Sequence, residues 1–361
     1  MRRAAALIVG GGPAGSAAAI ALVRAGLQPE LIERSEGPHD VVCGGFLGWD
    51  ALAALGRLGV DVAALRARPV RSLRLVSASR SVEVALPRPA AGLSRRTLDG
   101  ALLATAAAAG AVVARGKAVR AAERTRIRLD DGEEIETPRL VVATGKHELR
   151  GLARPVDLSD RPVGLRTPLQ ASRRLAEDIA DTIELHLFDG GYAGLLLQED
   201  GTANLCLSVS RGRLRSAGGI EPLIQELASE LPALEARLCE GEVLGWSAVA
   251  GVPYGWRARD TEEGIFRIGD QGAVIASLAG DGIAMALESG LALGRAIRRG
   301  ESAPMFQRGW HRRAARPLAV AELLRHAAER PAPRTALMGV LGFFPALAPL
   351  AARLTRIGGF A

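Results

Sequence analysis

The sequence is poor in several residue types, and each shortage closes off a class of function. Cysteine occurs at Cys43, Cys206 and Cys239 alone, with no Cys-x-x-Cys pair. So sparse and odd a set excludes a disulfide framework and makes a reducing, cytoplasmic setting the default. Aromatic residues are 4% of the chain, too few to build stacking platforms for nucleic acid. Of the 46 basic residues only Lys117 and Lys146 are lysines. The arginines are scattered along the chain rather than clustered, so nucleic-acid binding is not expected. There is no His-Glu-x-x-His, no Gly-x-Ser-x-Gly and no clustered Cys/His spacing, so neither a metal site nor serine-hydrolase chemistry is expected. The uncharged stretch Thr335–Ala352 (TALMGVLGFFPALAPLAA) falls short of the roughly 20 residues a membrane span needs, and Pro345 and Pro349 interrupt it.

What remains is a chain of 361 residues with 48% hydrophobic content, enough for a sizeable core. The net charge of +7 suits a polyanionic cofactor or an anionic membrane surface. The opening MRRAAALIVGGG is too brief an apolar run for a signal peptide, and its glycines carry chemistry of their own.

AAALIVG (Ala4–Gly10) reads as a buried parallel strand and Pro13–Gly26 as a helix with proline at its start and glycine at its end. Pro29–Ser35 reads as a second strand, completing a β-α-β unit. Polar and apolar residues alternate from Val70 to Pro87 as in a hairpin. Ser94–Ala111 predicts a helix, followed by strands with a hairpin turn at Asp131-Gly132. Several strands, among them DTIELHLFD, YAGLLLQED and ANLCLSVS, and one helix over Ile220–Leu238 are predicted between Pro162 and about Trp256. A strand-glycine-helix pattern returns at Phe266–Arg298, with helices to the end. The expectation is an α/β protein: a nucleotide-type domain built from discontinuous pieces, with an antiparallel sheet inserted twice.

Gly10-Gly11-Gly12-Pro13-Ala14-Gly15 matches G-x-G-x-x-G. Gly10 permits the tight turn, Gly12 lets backbone approach a pyrophosphate, and Gly15 lets helix and strand pack closely. The helix N-terminus, with Pro13 and Ala14, presents amides to phosphate. Glu33, at the end of the second strand, is placed for a ribose hydroxyl pair. Arg34 beside it suits either a phosphate contact or solvation.

This turn with Glu33, together with the distant FRIGDQGAVIASLAGDGIAMALESG, resembles the FAD-dependent oxidoreductases of the aromatic-hydroxylase and geranylgeranyl-reductase superfamily, which also contains flavin-dependent halogenases. The resemblance implies a Rossmann-like FAD-binding domain from residues 1–69, 95–160 and 257–330. It implies a substrate domain from 70–94 and 161–256, and a C-terminal helical cap at 331–361. The first glycine turn would hold the ADP half of FAD. Gly269 and Asp270 would meet the ribityl chain, and Gly280, Gly282 and Ile283 the flavin ring, where a helix N-terminus favours the anionic reduced form. One extended cofactor then accounts for two glycine sites at opposite ends of the chain. SRRTLD resembles the family's R-x-x-x-D helix start, implying a cofactor contact for Arg95. VVCGGFLG places Cys43, Gly44 and Gly45 where the reductases carry a Cys-Gly-Gly loop, with Cys43 itself read first as a redox-inert packing thiol. Val119 joins the cofactor set.

The resemblance departs in one place. Hydroxylases carry Ala-Asp-Gly where this chain has Ala143, Thr144 and Gly145, followed by Lys146, His147 and Glu148. The turn still suits close passage beside the cofactor, but the docking of a reductant is put in doubt. With no second G-x-G-x-x-G, either NAD(P)H binds transiently over the flavin or a separate electron donor serves. Near the substrate, Tyr192, Tyr254 and Trp246 are candidates beside Cys43, for pocket lining or for core packing. His186 reads as a structural histidine. The first-ranked expectation is a monooxygenase acting on a hydrophobic, aromatic or polyketide-like substrate through a flavin C4a-hydroperoxide. The alternatives are a reductase of carbon–carbon double bonds and a non-catalytic prenyl or lipid carrier. The apolar C-terminal segment suggests a helical cap or peripheral membrane contact, with Arg353 and Arg356 at the interface.

Overall fold

The computed structural model describes residues 2–78 and 80–357; Met1, Ser79 and residues 358–361, which the segment bounds above include, lie outside it. Its centre is a five-stranded parallel sheet ordered Ile265–Arg267, Leu140–Val142, Ala6–Val9, Pro29–Glu33, Val112–Arg115. The strand Ala6–Val9 is buried along its whole length, which is why it reads as an unbroken apolar run. The helix Pro13–Val23 follows it directly. The returning helix Gly282–Arg298 packs against this first helix at very short range. A Cβ on Gly290 would stand 2.6 Å from the Ala18 amide, and one on Gly294 would stand 2.5 Å from Ala18's neighbour in the next turn, Ala21. Alanine on one helix and glycine on the other are what this approach demands. The first and last thirds of the chain thus form one layer.

The second sheet has nine strands, most of them antiparallel. The hairpin expected at Val70–Pro87 forms as Arg68–Ser77 and Arg80–Gly92. The strands Asp181–Phe188, Gly191–Leu197, Ala203–Val209 and Val163–Ala171 follow in spatial order. Where the two insertions meet, Asp181–Phe188 runs parallel to Arg68–Ser77. Strands from separate excursions of the chain have no tight turn to force them antiparallel. The helix expected over Ile220–Leu238 is two, Ile220–Glu230 and Pro232–Cys239, because Pro232 begins a new helix. These helices cover one face of the sheet and bury Leu165, Leu195, Leu205 and Leu207.

A small third sheet of four strands carries the Asp131-Gly132 turn. Beyond the long helix Ala303–Ala328 the chain ends in two short helices, Pro331–Phe343 and Leu347–Leu354, which pack over the hairpin strand Arg80–Gly92. Among the described residues no helix is long and apolar enough to cross a membrane.

Candidate cofactor and substrate site

The first glycine turn leaves no room for side chains. Gly10 has φ +106°, and a Cβ there would lie 2.5 Å from the Ala143 carbonyl oxygen; a Cβ on Gly15 would lie 1.9 Å from the carbonyl oxygen of Gly10. The helix that starts at Pro13 has no side-chain cap, so its leading amides face the turn as an anion cradle. Glu33 sits beside it, accepting hydrogen bonds from the amides of Gly11 at 2.7 Å and Ser35 at 2.9 Å. A groove lined by Gly11, Glu33, His39, Asp99 and Arg115 runs from there. Arg95 donates twice to Asp99, at 2.8 and 2.7 Å, with its guanidinium beside Gly12. Ser94 caps that helix by accepting from the Thr97 amide. Arg34 is exposed and pairs with His147 at 3.0 Å. Val119 packs against the apolar cluster under the small sheet.

The second cradle adjoins the first. Gly269, at φ +56°, presses on Ala14 of the first turn, where a Cβ would come within 2.8 Å of the alanine methyl. The Lys146 ammonium reaches the next residue, Asp270, at 3.6 Å. Burial works against the Lys146 charge, but the Asp270 carboxylate outweighs it and holds the ammonium above its ordinary pKa. Buried Arg154 locks the two segments together. It pairs with Glu148 at 2.6 Å and donates to the carbonyls of Lys146 (3.0 Å) and Asp270 (3.1 Å). Glu148 therefore faces Arg154, while Thr144 donates to the His147 carbonyl at 2.7 Å. The side chain of Gln271 donates to the carbonyls of Gly145 and His147.

The Cys-Gly-Gly loop and the Gly280 turn touch. Gly280, at φ +71°, faces the Phe46 ring, and a Cβ there would meet it at 2.9 Å. Gly45, also at φ +71°, is hemmed in by the Leu93 carbonyl. Gly44 and Gly282 are different: among the described residues no other part of the chain lies within 4 Å of where a Cβ would stand. Bare backbone facing open space on two loops, with Ile283 buried behind one of them, is a shape that a flat ring fits. The residues present thus fit an extended dinucleotide: an anion cradle, a carboxylate for the ribose, and two glycine edges for the ring.

The inserted sheet supplies the opposite wall. Alternation along the strands puts Tyr192, Cys206, Ser208, Asn204 and Arg166 on the face away from the helices, with Tyr192 opposite Ser208 and Cys206 opposite Arg166. Polar residues on a buried face need partners, and they have them. Tyr192 donates to the Ser277 hydroxyl at 2.6 Å, Tyr254 shares a short hydrogen bond with the same hydroxyl, and Tyr254 also donates to Ser208 at 3.3 Å. Asn204 donates to the Cys43 carbonyl at 3.0 Å and accepts from Arg166 at 2.7 Å. Burial raises the pKa of both tyrosines, and pushes the Cys206 thiol up to about 12.

Of the expected substrate-side residues, Cys43, Tyr192 and Tyr254 share this wall. Trp246 does not: it packs against the helix-covered face of the sheet, because the edge segment that carries it folds to that side. His186 is fully buried against Glu184. Ser277, Asn204 and Ser208 escaped the sequence reading, although the polar-apolar alternation of ANLCLSVS signals a strand with one polar buried face. Arg356 was expected at an interface and lies inside instead. It ion-pairs with Asp281, between the two site glycines, sits 3.5 Å from Asp50, and stacks on Trp49 at 4.1 Å from the ring centroid.

Residues 3–150 match the family model described as an FAD binding domain. Over 308 residues the chain is 29% identical to a menaquinone reductase of Mycolicibacterium smegmatis, spanning 80% of this chain and 75% of that one. The fold is similar to that of a geranylgeranyl bacteriochlorophyll reductase-like protein from Thermoplasma acidophilum, with TM-score 0.77, 19% identity, and 99% and 94% of the two chains covered. It is equally similar to a myxobacterial chondrochloren halogenase, with TM-score 0.79, 17% identity, and 100% and 94% covered. At such identities the two solved structures speak for the fold alone.

Proposed function

From the FAD binding domain matched at residues 3–150 and the likeness to a menaquinone reductase, we propose that this chain is an FAD-dependent reductase that saturates a carbon–carbon double bond in a hydrophobic, isoprenoid- or quinone-type lipid. The observation that carries this reading is the likeness to a menaquinone reductase over 308 residues, far beyond the matched cofactor segment 3–150. The Cys-Gly-Gly loop and the loss of the hydroxylase aspartate at Thr144 point the same way.

FAD, when bound, supplies the hydride and draws its electrons from NAD(P)H or a separate donor. The chain's own residues do the rest. Gly10–Gly15 and Glu33 would hold the ADP half, with the Arg95 guanidinium beside Gly12; Gly44 and Gly282 would admit the ring, and Lys146 would supply positive charge beside Asp270. Saturating a double bond also needs a proton on the carbon that does not take the hydride. The connected Tyr192–Ser277–Tyr254 hydroxyls are placed to supply that proton.

A second reading, oxygen insertion, is favoured by the apolar cluster of Leu185, Leu187, Leu278 and Met338 around Tyr192, which would keep water from the reacting face. Product mass separates the two. Anaerobic turnover of an isoprenoid quinone by the reduced flavoprotein is expected to add about 2 Da that persists after the quinol ring is reoxidised in air; a gain of about 16 Da, seen only in oxygen, overturns the reductase reading.

A further inference from the structure

The two C-terminal helices have two apolar faces, and among the described residues only one is covered by the rest of the chain. On the inner side Met338 and Leu341 pack with Leu185, Leu187 and Tyr192, and Leu337 and Ala348 join them beside Leu278. Leu278 follows Ser277, so this side closes over the candidate site. On the outer side the joint between the helices exposes Phe343 (82%), Phe344 (64%), Leu347 and Leu350. A pair of phenylalanines so exposed is unusual in a chain with only seven.

The segment that carries this patch is basic. From Arg330 onward the sequence contains four arginines and no aspartate or glutamate; the Arg356 side chain is buried against Asp281 and Arg334 pairs with Asp189, which leaves Arg330 and Arg353 exposed. Exposed Arg353 follows the patch, and exposed Arg80, on the adjoining hairpin strand, lies against Gly339. An aromatic tip flanked by the exposed arginines Arg80 and Arg353, on helices too short to span, is complementary to an anionic bilayer surface.

We propose that the joint Phe343–Leu350 seats in the head-group region of an anionic membrane, with Arg80 and Arg353 on the lipid phosphates. The helical pair then stands between bilayer and site, its inner face against the substrate wall. That last placement rests on the lipid-substrate reading, whereas the docking does not, so vesicle binding and product analysis can fail separately.

The test is co-sedimentation of the full-length, FAD-loaded protein with vesicles of phosphatidylcholine alone, or of phosphatidylcholine and phosphatidylglycerol in equal parts. Binding to the mixed vesicles, weakened by salt, is expected. Phe343→Ser/Phe344→Ser should lower the partition coefficient at least about tenfold, and Arg80→Glu/Arg353→Glu should abolish the preference for anionic vesicles. Both variants should keep the wild-type melting temperature and flavin spectrum, since these side chains are exposed. Equal binding to both vesicle types, or serine-variant binding equal to wild type, overturns the proposal. So does light scattering that shows a dimer dissolved by the serine changes while vesicle binding is absent, because the patch then belongs to a second copy.

Discussion

Arg356 and Asp281 form a buried ion pair that ties the end of the chain to the turn between Gly280 and Gly282. Asp281 is fully buried, so removing its partner leaves a stranded charge beside the place where the ring is held. Arg356→Ala is expected to destabilise the protein by about 3 kcal/mol and to weaken FAD binding. The double change Arg356→Met/Asp281→Asn should recover part of the loss. Denaturant melts and FAD titration of the two variants check this; equal losses in both would show that the pair is not coupled.

The loop glycines divide into two kinds. Gly45 is held at φ +71° under the Leu93 carbonyl, so Gly45→Ala should cost about 1–2 kcal/mol of stability even without FAD. Gly44→Ala and Gly282→Ala add a methyl to open space. They should leave the apoprotein's melting temperature unchanged and weaken FAD binding about tenfold or more, measured by quenching of flavin fluorescence. If both kinds of variant bind FAD as tightly as wild type, the ring lies elsewhere.

Tyr254→Phe and Ser277→Ala interrupt the hydroxyl chain without touching the glycine cradles. Turnover should fall about 100-fold with the flavin spectrum retained, and the solvent deuterium isotope effect should change. A fall in flavin content instead would assign these residues to structure.

These outcomes bear on how far the sequence could be read. The glycine turns were legible because each carries a local demand: a positive φ at Gly10 and Gly280, or an approach closer than a methyl allows at Gly15. The strand-turn-helix context made those demands specific. The opposite wall was only half legible. Tyr192 and Tyr254 stood out through rarity, but nothing local to Ser277 shows that both hydroxyls converge on it. Trp246 drew attention because it lies near Tyr254 in the sequence, and it packs elsewhere. The ion pair of Arg356 is hidden for a different reason. Its partner lies 75 positions earlier in the chain, and an arginine after an apolar stretch has the pattern of an interfacial residue.

Glu184 carries a pH signature of its own. Burial alone would push its carboxyl up, but hydrogen bonds from His186 and Arg237 outweigh that and bring it to about 2, from an ordinary 4.5. The folded pKa lies below the unfolded one. The stabilisation is therefore complete above about pH 4.5 and is lost as pH falls toward 2, amounting to about 3 kcal/mol. Glu184→Gln should lower the melting temperature at neutral pH and flatten its decline in acid. A variant that melts like wild type at neutral pH would show the network to be idle.

The close seating of Gly290 and Gly294 on the first helix reaches beyond the finished molecule. During synthesis, the alanine face of Pro13–Val23 has no mate until the helix ending at Arg298 leaves the ribosome, and the edge strand Ile265–Arg267 comes just as late. The nascent amino-terminal half must wait, sticky and incomplete, so a fragment cut at residue 150 should aggregate instead of serving as a portable nucleotide-binding module.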